Sequence, residues 1–149
     1  MTRTFLCSGL IALVALNVLC PTSWADNKDD AKLVDGTWLG SKAELSGKPY
    51  PEELTRTIRI TVEKGRYKVA HSGTSEEGLF KLDPSAKPKS LDMIGTDGPN
   101  KGNKLLAIYE LDGDTLKVCY DLTGKSRPKE FKTTEGSQLY LVIYKREKP

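Results

Sequence analysis

Histidine and cysteine are scarce in this chain: His71 is the single histidine, and the three cysteines are Cys7, Cys20 and Cys119. Beyond the first 25 residues one histidine and one cysteine remain, too few for a zinc ligand set unless carboxylates are recruited. The same scarcity leaves Cys119 with His71 as the one nucleophile–base pair that can be drawn. Nothing in the spacing brings those two together or supplies a third group to orient the base. No cofactor and no metal are therefore expected. Aromatic residues make up only 7% of the chain, and the lysines are scattered among Asp and Glu. A nucleic-acid surface needs a basic face interleaved with aromatics, so no nucleic acid is expected as a partner. A Ser/Pro/Gly-rich linker is missing too, as is any long amphipathic helix after Gly36, which argues for one domain.

The one long apolar run, Phe5 to Leu19, follows a positive start at Arg3 and is broken by Pro21. Ser23-Trp24-Ala25 places small residues at the two positions a signal peptidase reads, so residues 1–25 are expected to be a signal peptide cleaved near Ala25. The run falls short of the roughly 20 residues that span a bilayer, and polar Asp26-Asn27-Lys28-Asp29-Asp30 follows at once, so no integral membrane segment is expected after cleavage. Bulky Leu19 before Cys20 argues against a lipoprotein acylated there. The chain is thus expected to be exported, to the periplasm or beyond the cell. Cleavage removes Cys7 and Cys20, leaving Cys119 alone. No intramolecular disulfide can then form, and stability must come from a hydrophobic core. The formal charge of +3 drops to +2 as Arg3 departs with the signal.

Residues 26–34 read as a loose polar leader, and 35–149 as the folded domain. Ile58, Ile60 and Val62 alternate with Thr57, Arg59, Thr61 and Glu63, a period of two that puts the apolar side chains on one face of a strand. Lys64-Gly65 is a two-residue turn, after which Tyr67 and Val69 resume the alternation as a hairpin. Further strands are expected over 77–83, 91–94, 104–111, 115–121 and 139–146, the 104–111 and 115–121 pair joined at Asp112-Gly113-Asp114. In the last strand Leu139, Leu141 and Ile143 oppose Tyr140, Val142 and Tyr144, which implies cover on both faces. With the strand holding Trp38 the count is eight. The expected fold is all-β, an eight-stranded antiparallel up-and-down barrel, with one short helical turn at Pro51-Glu52-Glu53-Leu54 after the first strand. A two-sheet sandwich is the alternative. Gly36-Thr37-Trp38 opens the first strand and Arg146 closes the last, so an indole–guanidinium stack is expected to close one end.

Several ordered motifs carry a family resemblance. These are Gly36-Thr37-Trp38, Glu77-Gly78-Leu79-Phe80, Leu82-Asp83-Pro84-Ser85-Ala86-Lys87-Pro88-Lys89, Leu91-Asp92, Ile108-Tyr109-Glu110-Leu111-Asp112-Gly113-Asp114-Thr115-Leu116-Lys117-Val118-Cys119-Tyr120 and Arg127-Pro128-Lys129-Glu130-Phe131. Together they resemble the planctomycete paralogous lipocalin-like domain over nearly the whole chain after residue 25. The resemblance implies a lipocalin-like barrel, frequent export and no established activity. Ala107 departs from the glycine expected before Ile108-Tyr109. Likeness to the true lipocalins rests only on Gly36-x-Trp38 and Arg146.

Among the acids, Asp83 before Pro84 and Asp112 before Gly113 sit where aspartate serves turns. Asp92 and Glu110 lie within strands beside apolar neighbours, and Arg127 is a partner for either. With Tyr109 these form the candidate ligand-contacting set: Asp92, Tyr109, Glu110 and Arg127. His71 reads as a hairpin-end side chain. Cys119 alternates with Lys117 and Asp121, so its thiol points away from the Leu116, Val118 and Tyr120 face; it is a free reactive thiol, forms an intermolecular bridge, or is covered by the leader or a long loop. The loops 84–90, 95–103 and 122–137 exceed what hairpins need, and Lys87, Lys89, Lys101, Lys125 and Arg127 would give them a basic rim favouring an acidic partner. The expected function is a non-enzymatic, exported lipocalin-like binding module for a small apolar molecule or an envelope component. The alternative is a protein-interaction or inhibitor barrel working through its loops. An enzyme using Asp92, Glu110 or Arg127 ranks last, because no nucleophile–base or metal constellation emerges.

Overall fold

The computed structural model describes residues 29–149. The expected signal segment, with Cys7, Cys20 and the Ala25 cleavage point, lies outside the described residues, as do the first three residues of the leader. In chain order the elements are α1 (Asp30–Leu33), β1 (Gly36–Leu45), β2 (Lys48–Pro49), α2 (Glu52–Thr55), β3 (Arg59–Glu63), β4 (Arg66–His71), β5 (Thr74–Asp83), β6 (Ser90–Asp97), β7 (Lys104–Asp112), β8 (Thr115–Asp121) and β9 (Leu139–Arg146).

Every neighbouring pair from β3 to β9 is antiparallel, β1 pairs with β3, and β1 also pairs with β9 from Trp38↔Arg146 to Leu45↔Tyr140. The ladder therefore returns on itself as a closed eight-stranded up-and-down barrel, and the sandwich alternative fails. The two-residue β2 is an appendage on the end of β1. Lys64 and Gly65 both hold positive φ, at 49° and 77°, the conformation a two-residue hairpin turn requires. Two strands are longer than their alternation suggested: β5 begins at Thr74 and β6 runs to Asp97.

Period-two alternation sends Trp38, Ile60, Tyr67, Phe80, Leu91, Tyr109, Val118 and Val142 into one core, each at most 4% exposed. Full burial of such a side chain stabilises by roughly 1.5–3 kcal/mol. This packing carries the fold, since Cys119 is free. Gly78 on β5 has a definite task. A Cβ there would meet the Ile94 carbonyl and lie 2.6 Å from the Tyr67 ring, so the glycine makes room for that ring inside the barrel.

The ends differ. At the floor, the Arg146 guanidinium carbon sits 4.1 Å from the centre of the Trp38 ring, a stack worth roughly 1–2 kcal/mol. Trp38 Nε1–H donates to the Val34 carbonyl at 2.9 Å, while Arg146 donates to the carbonyls of Asp35 (2.8 Å) and Leu33. Gly36 adopts φ +132°, and a Cβ on it would lie 2.7 Å from Arg146 Nη1, so glycine is required where the latch crosses β1. The leader departs from expectation here. Its residues from Asp30 onward form the α1 turn, and Asp30 and Val34 are buried against the barrel floor. The cause is tertiary: the Asp30 carboxylate accepts from Tyr109 Oη and Lys89 Nζ, both at 2.7 Å.

Candidate functional site

The candidate set Asp92, Tyr109, Glu110 and Arg127 does not converge. Tyr109 points into the core and donates to Asp30 at the floor. Burial and the adjacent Asp30 carboxylate hold its hydroxyl well above the ordinary tyrosine range. Glu110 faces outward, exposed, and accepts from Lys117 at 3.1 Å. Asp92 and Arg127 do meet, on the outer wall: Arg127 Nη2 donates to Asp92 Oδ1 at 2.6 Å, and Arg127 Nη1 donates to the carbonyls of Leu91 (3.0 Å) and Ala107 (2.7 Å). Lys104 Nζ reaches the other Asp92 oxygen at 2.7 Å. Partial burial would raise the Asp92 pKa, but the hydrogen bonds and charges of Lys104 and Arg127 outweigh it and lower the group below the usual carboxylate range. An aspartate held by two cations while Arg127 staples β6 to β7 is a structural brace on the outer wall.

The brace fastens the long loop after β8 to the wall, and beneath that loop lies Cys119. Its side chain is fully buried outside the barrel, Sγ lying 4.0 Å from the Lys132 carbonyl. Cys119 is thus a free cysteine covered by a long loop. Burial lifts the thiol to about 11. His71 lies on the cavity side of β4, so the Cys119–His71 pair is separated by the sheet. Nor do the three long loops form one basic rim. The 84–89 connection sits at the floor, where Lys89 pairs with Asp30, and Arg127 is committed to Asp92. The turn role of Asp83 holds, its Oδ1 accepting from the Ser85 amide at 3.0 Å, while Asp112 ends β7 just before Gly113 at φ +55°.

The opening is at the other end. A cavity of about 240 Å³ enters the barrel between the β4–β5 hairpin, the 98–103 connection and the start of β9. Val69, Met93 and Leu105 line its apolar depth, and His71, Glu76 and Tyr140 are among its polar and aromatic lining. Counting back in twos from buried Phe80 puts Gly78 and Glu76 on the inward face of β5. Glu77 faces out and pairs with Lys68 at 3.0 Å. Glu76 has no such partner: none of the ion pairs among the described residues includes it. One of its oxygens accepts from Asn100 Nδ2 at 2.6 Å. Burial raises its pKa, and the Asn100 bond only partly offsets that.

Three tyrosines, Tyr120, Tyr140 and Tyr144, share the cavity lining with this carboxylate. Tyr120 and Tyr144 share a hydroxyl–hydroxyl bond of 3.1 Å deep in the cavity. Tyr140 packs on Tyr120 at 6.2 Å and meets the Tyr50 ring edge-on at 5.7 Å. Tyr50 Oη also reaches His71 Nε2 at 3.4 Å. Burial pushes the hydroxyls of Tyr67 and Tyr144 up to about 12, and the Glu76 charge adds to the rise in both and in Tyr120. Sequence reading missed Glu76, Asn100 and Tyr140. The signal for Glu76 was its parity with Phe80, hidden by starting that strand at residue 77.

No family model matches the chain, and no curated protein does. Three chains of solved structures match. One is the crystal structure of a DUF4847 family protein from Bacteroides vulgatus, with a TM-score of 0.48 and 15% identity, covering 78% of this chain and 96% of that one.

Proposed function

We propose that this protein is a non-enzymatic binding module that takes a small, largely apolar molecule into the barrel mouth. The observation that carries the reading is the asymmetry of the barrel. One end is sealed by Trp38, Arg146 and α1, while the other opens into a cavity of about 240 Å³ with an apolar depth and few polar groups. A concave, mostly apolar site with a few convergent polar side chains is the usual form of a small-molecule pocket. Export of the domain, directed by residues 1–25, and membership of the planctomycete paralogous lipocalin-like domain family are parts of the same proposal. They rest on the amino-terminal pattern and on the motif resemblance. The loop-mediated alternative is weaker, because Arg127 and Lys89, two of the basic side chains it would use, are spent on internal ion pairs.

The test is a fluorescence titration of the chain from residue 26 with N-phenyl-1-naphthylamine, a neutral apolar probe. Saturable enhancement is expected, lost when Val69→Trp fills the cavity and kept in the outer-wall variant Glu110→Ala. No enhancement in the parent, or equal enhancement in a folded Val69→Trp protein, would overturn the proposal.

A further inference from the structure

Glu76 gives the mouth a chemical preference that its apolar depth alone does not. The residue projects inward from β5, one of its carboxylate oxygens is held by Asn100, and no lysine or arginine among the described residues pairs with it. Its surroundings are aromatic: Tyr120 from β8 and Tyr140 and Tyr144 from β9 line the same cavity, and Tyr50 meets the Tyr140 ring edge-on. Carboxylates that are only partly hydrated are normally matched by a cation. At the floor the equivalent demand is met internally, since Asp30 has Lys89. At the mouth the matching charge is missing.

We infer that the cavity selects a small organic cation, an amine joined to an apolar body, with the ammonium placed between the Glu76 carboxylate and the tyrosine rings and the body in the Val69, Met93 and Leu105 depth. Two forces favour that occupant. An ammonium supplies the charge-assisted hydrogen bond that the second Glu76 oxygen lacks, and tyrosine faces attract cations while leaving a neutral or anionic head no comparable gain. An anionic amphiphile, such as a fatty acid, would bring a second negative charge beside Glu76 and is disfavoured. This inference rests on the small-molecule reading of the mouth and sharpens it from apolar to cationic and apolar.

Calorimetric titration at neutral pH with benzylamine, benzyl alcohol and benzoate separates the two levels. Benzylamine is expected to bind at least about tenfold more tightly than benzyl alcohol, the scale of one charge-assisted bond, and benzoate more weakly than either. Glu76→Gln, which keeps the shape, is expected to equalise amine and alcohol while N-phenyl-1-naphthylamine binding persists. Asn100→Ala, which frees the carboxylate to move, should reduce the amine preference without abolishing it. Equal affinity for benzylamine and benzyl alcohol in the parent, or an amine preference that survives Glu76→Gln, would overturn the cationic inference and leave the pocket standing. Failure of all three probes and of N-phenyl-1-naphthylamine would overturn both.

Discussion

Asp30 stands in a charged run, Asp26-Asn27-Lys28-Asp29-Asp30, that by composition belongs in solvent, yet its side chain is buried beneath the barrel. Two donors make that burial tolerable, Tyr109 Oη and Lys89 Nζ, contributed by a β7 residue and by the connection between β5 and β6. Removing the carboxylate strands the Tyr109 hydroxyl without an acceptor and frees α1 from the floor. Asp30→Ala is expected to destabilise the domain by about 2 kcal/mol, the scale of a buried hydrogen bond to a charged group. Urea unfolding of the chain from residue 26 measures it, and an unchanged midpoint would show that α1 is not a working part of the floor. Glu76 is the opposite case, an inward acid with no cation of its own. Neither role is visible in local sequence. Asp30 depends on a tyrosine 79 positions away, and Glu76 is recognised only when the strand is extended back through Ser75 and Thr74, whose polarity masks it.

At the scale of elements, apolar alternation located every strand whose inner face is bulky. Ile60 and Val62 fixed β3, Phe80 and Leu82 fixed the second half of β5, and Leu116 and Val118 fixed β8. Alternation was silent where a strand lines the mouth, because cavity-facing positions such as Thr74 and Glu76 need not be apolar. The same silence covers the 122–138 loop, which lacks periodicity yet packs over the outer wall, buries Pro128 and Thr133, and shields Cys119. A prediction follows from that cover. Burial holds the thiol at about 11, above its ordinary range, so the folded chain keeps its proton where the unfolded chain has lost it. The protonated thiol's contribution to stability is fully present below the ordinary thiol pKa and is lost as pH rises from there through about 11. Iodoacetamide should therefore modify Cys119 slowly in the native protein at pH 8 and rapidly in urea. Arg127→Ala, which unfastens the loop from Asp92, should raise the native rate by about tenfold or more. Native labelling as fast as unfolded labelling would contradict the shielded thiol.

For the whole molecule, the first and last strands meet through Trp38↔Arg146, so closing the sheet and sealing the floor are one event. Their two residues were legible at the ends of the sequence because the stack they form is short-range and specific in residue type. The mouth was not legible: its lining comes from six strands, β4 to β9, and the 98–103 connection, and His71, Glu76, Asn100 and Tyr140 are not neighbours in sequence. The ion pairs follow the same division. Lys89 neutralises Asp30 at the sealed end, and Glu76 waits for a charge at the open one. The most direct measurement is a two-dimensional NMR titration of the isotope-labelled chain from residue 26 with benzylamine. A barrel sealed at one end and open at the other predicts saturable shifts at Val69, His71, Glu76, Asn100 and Tyr140, with the Trp38 indole signal unmoved. Shifts centred on Trp38 or on the Asp92–Arg127 wall, with the mouth residues silent, would contradict it.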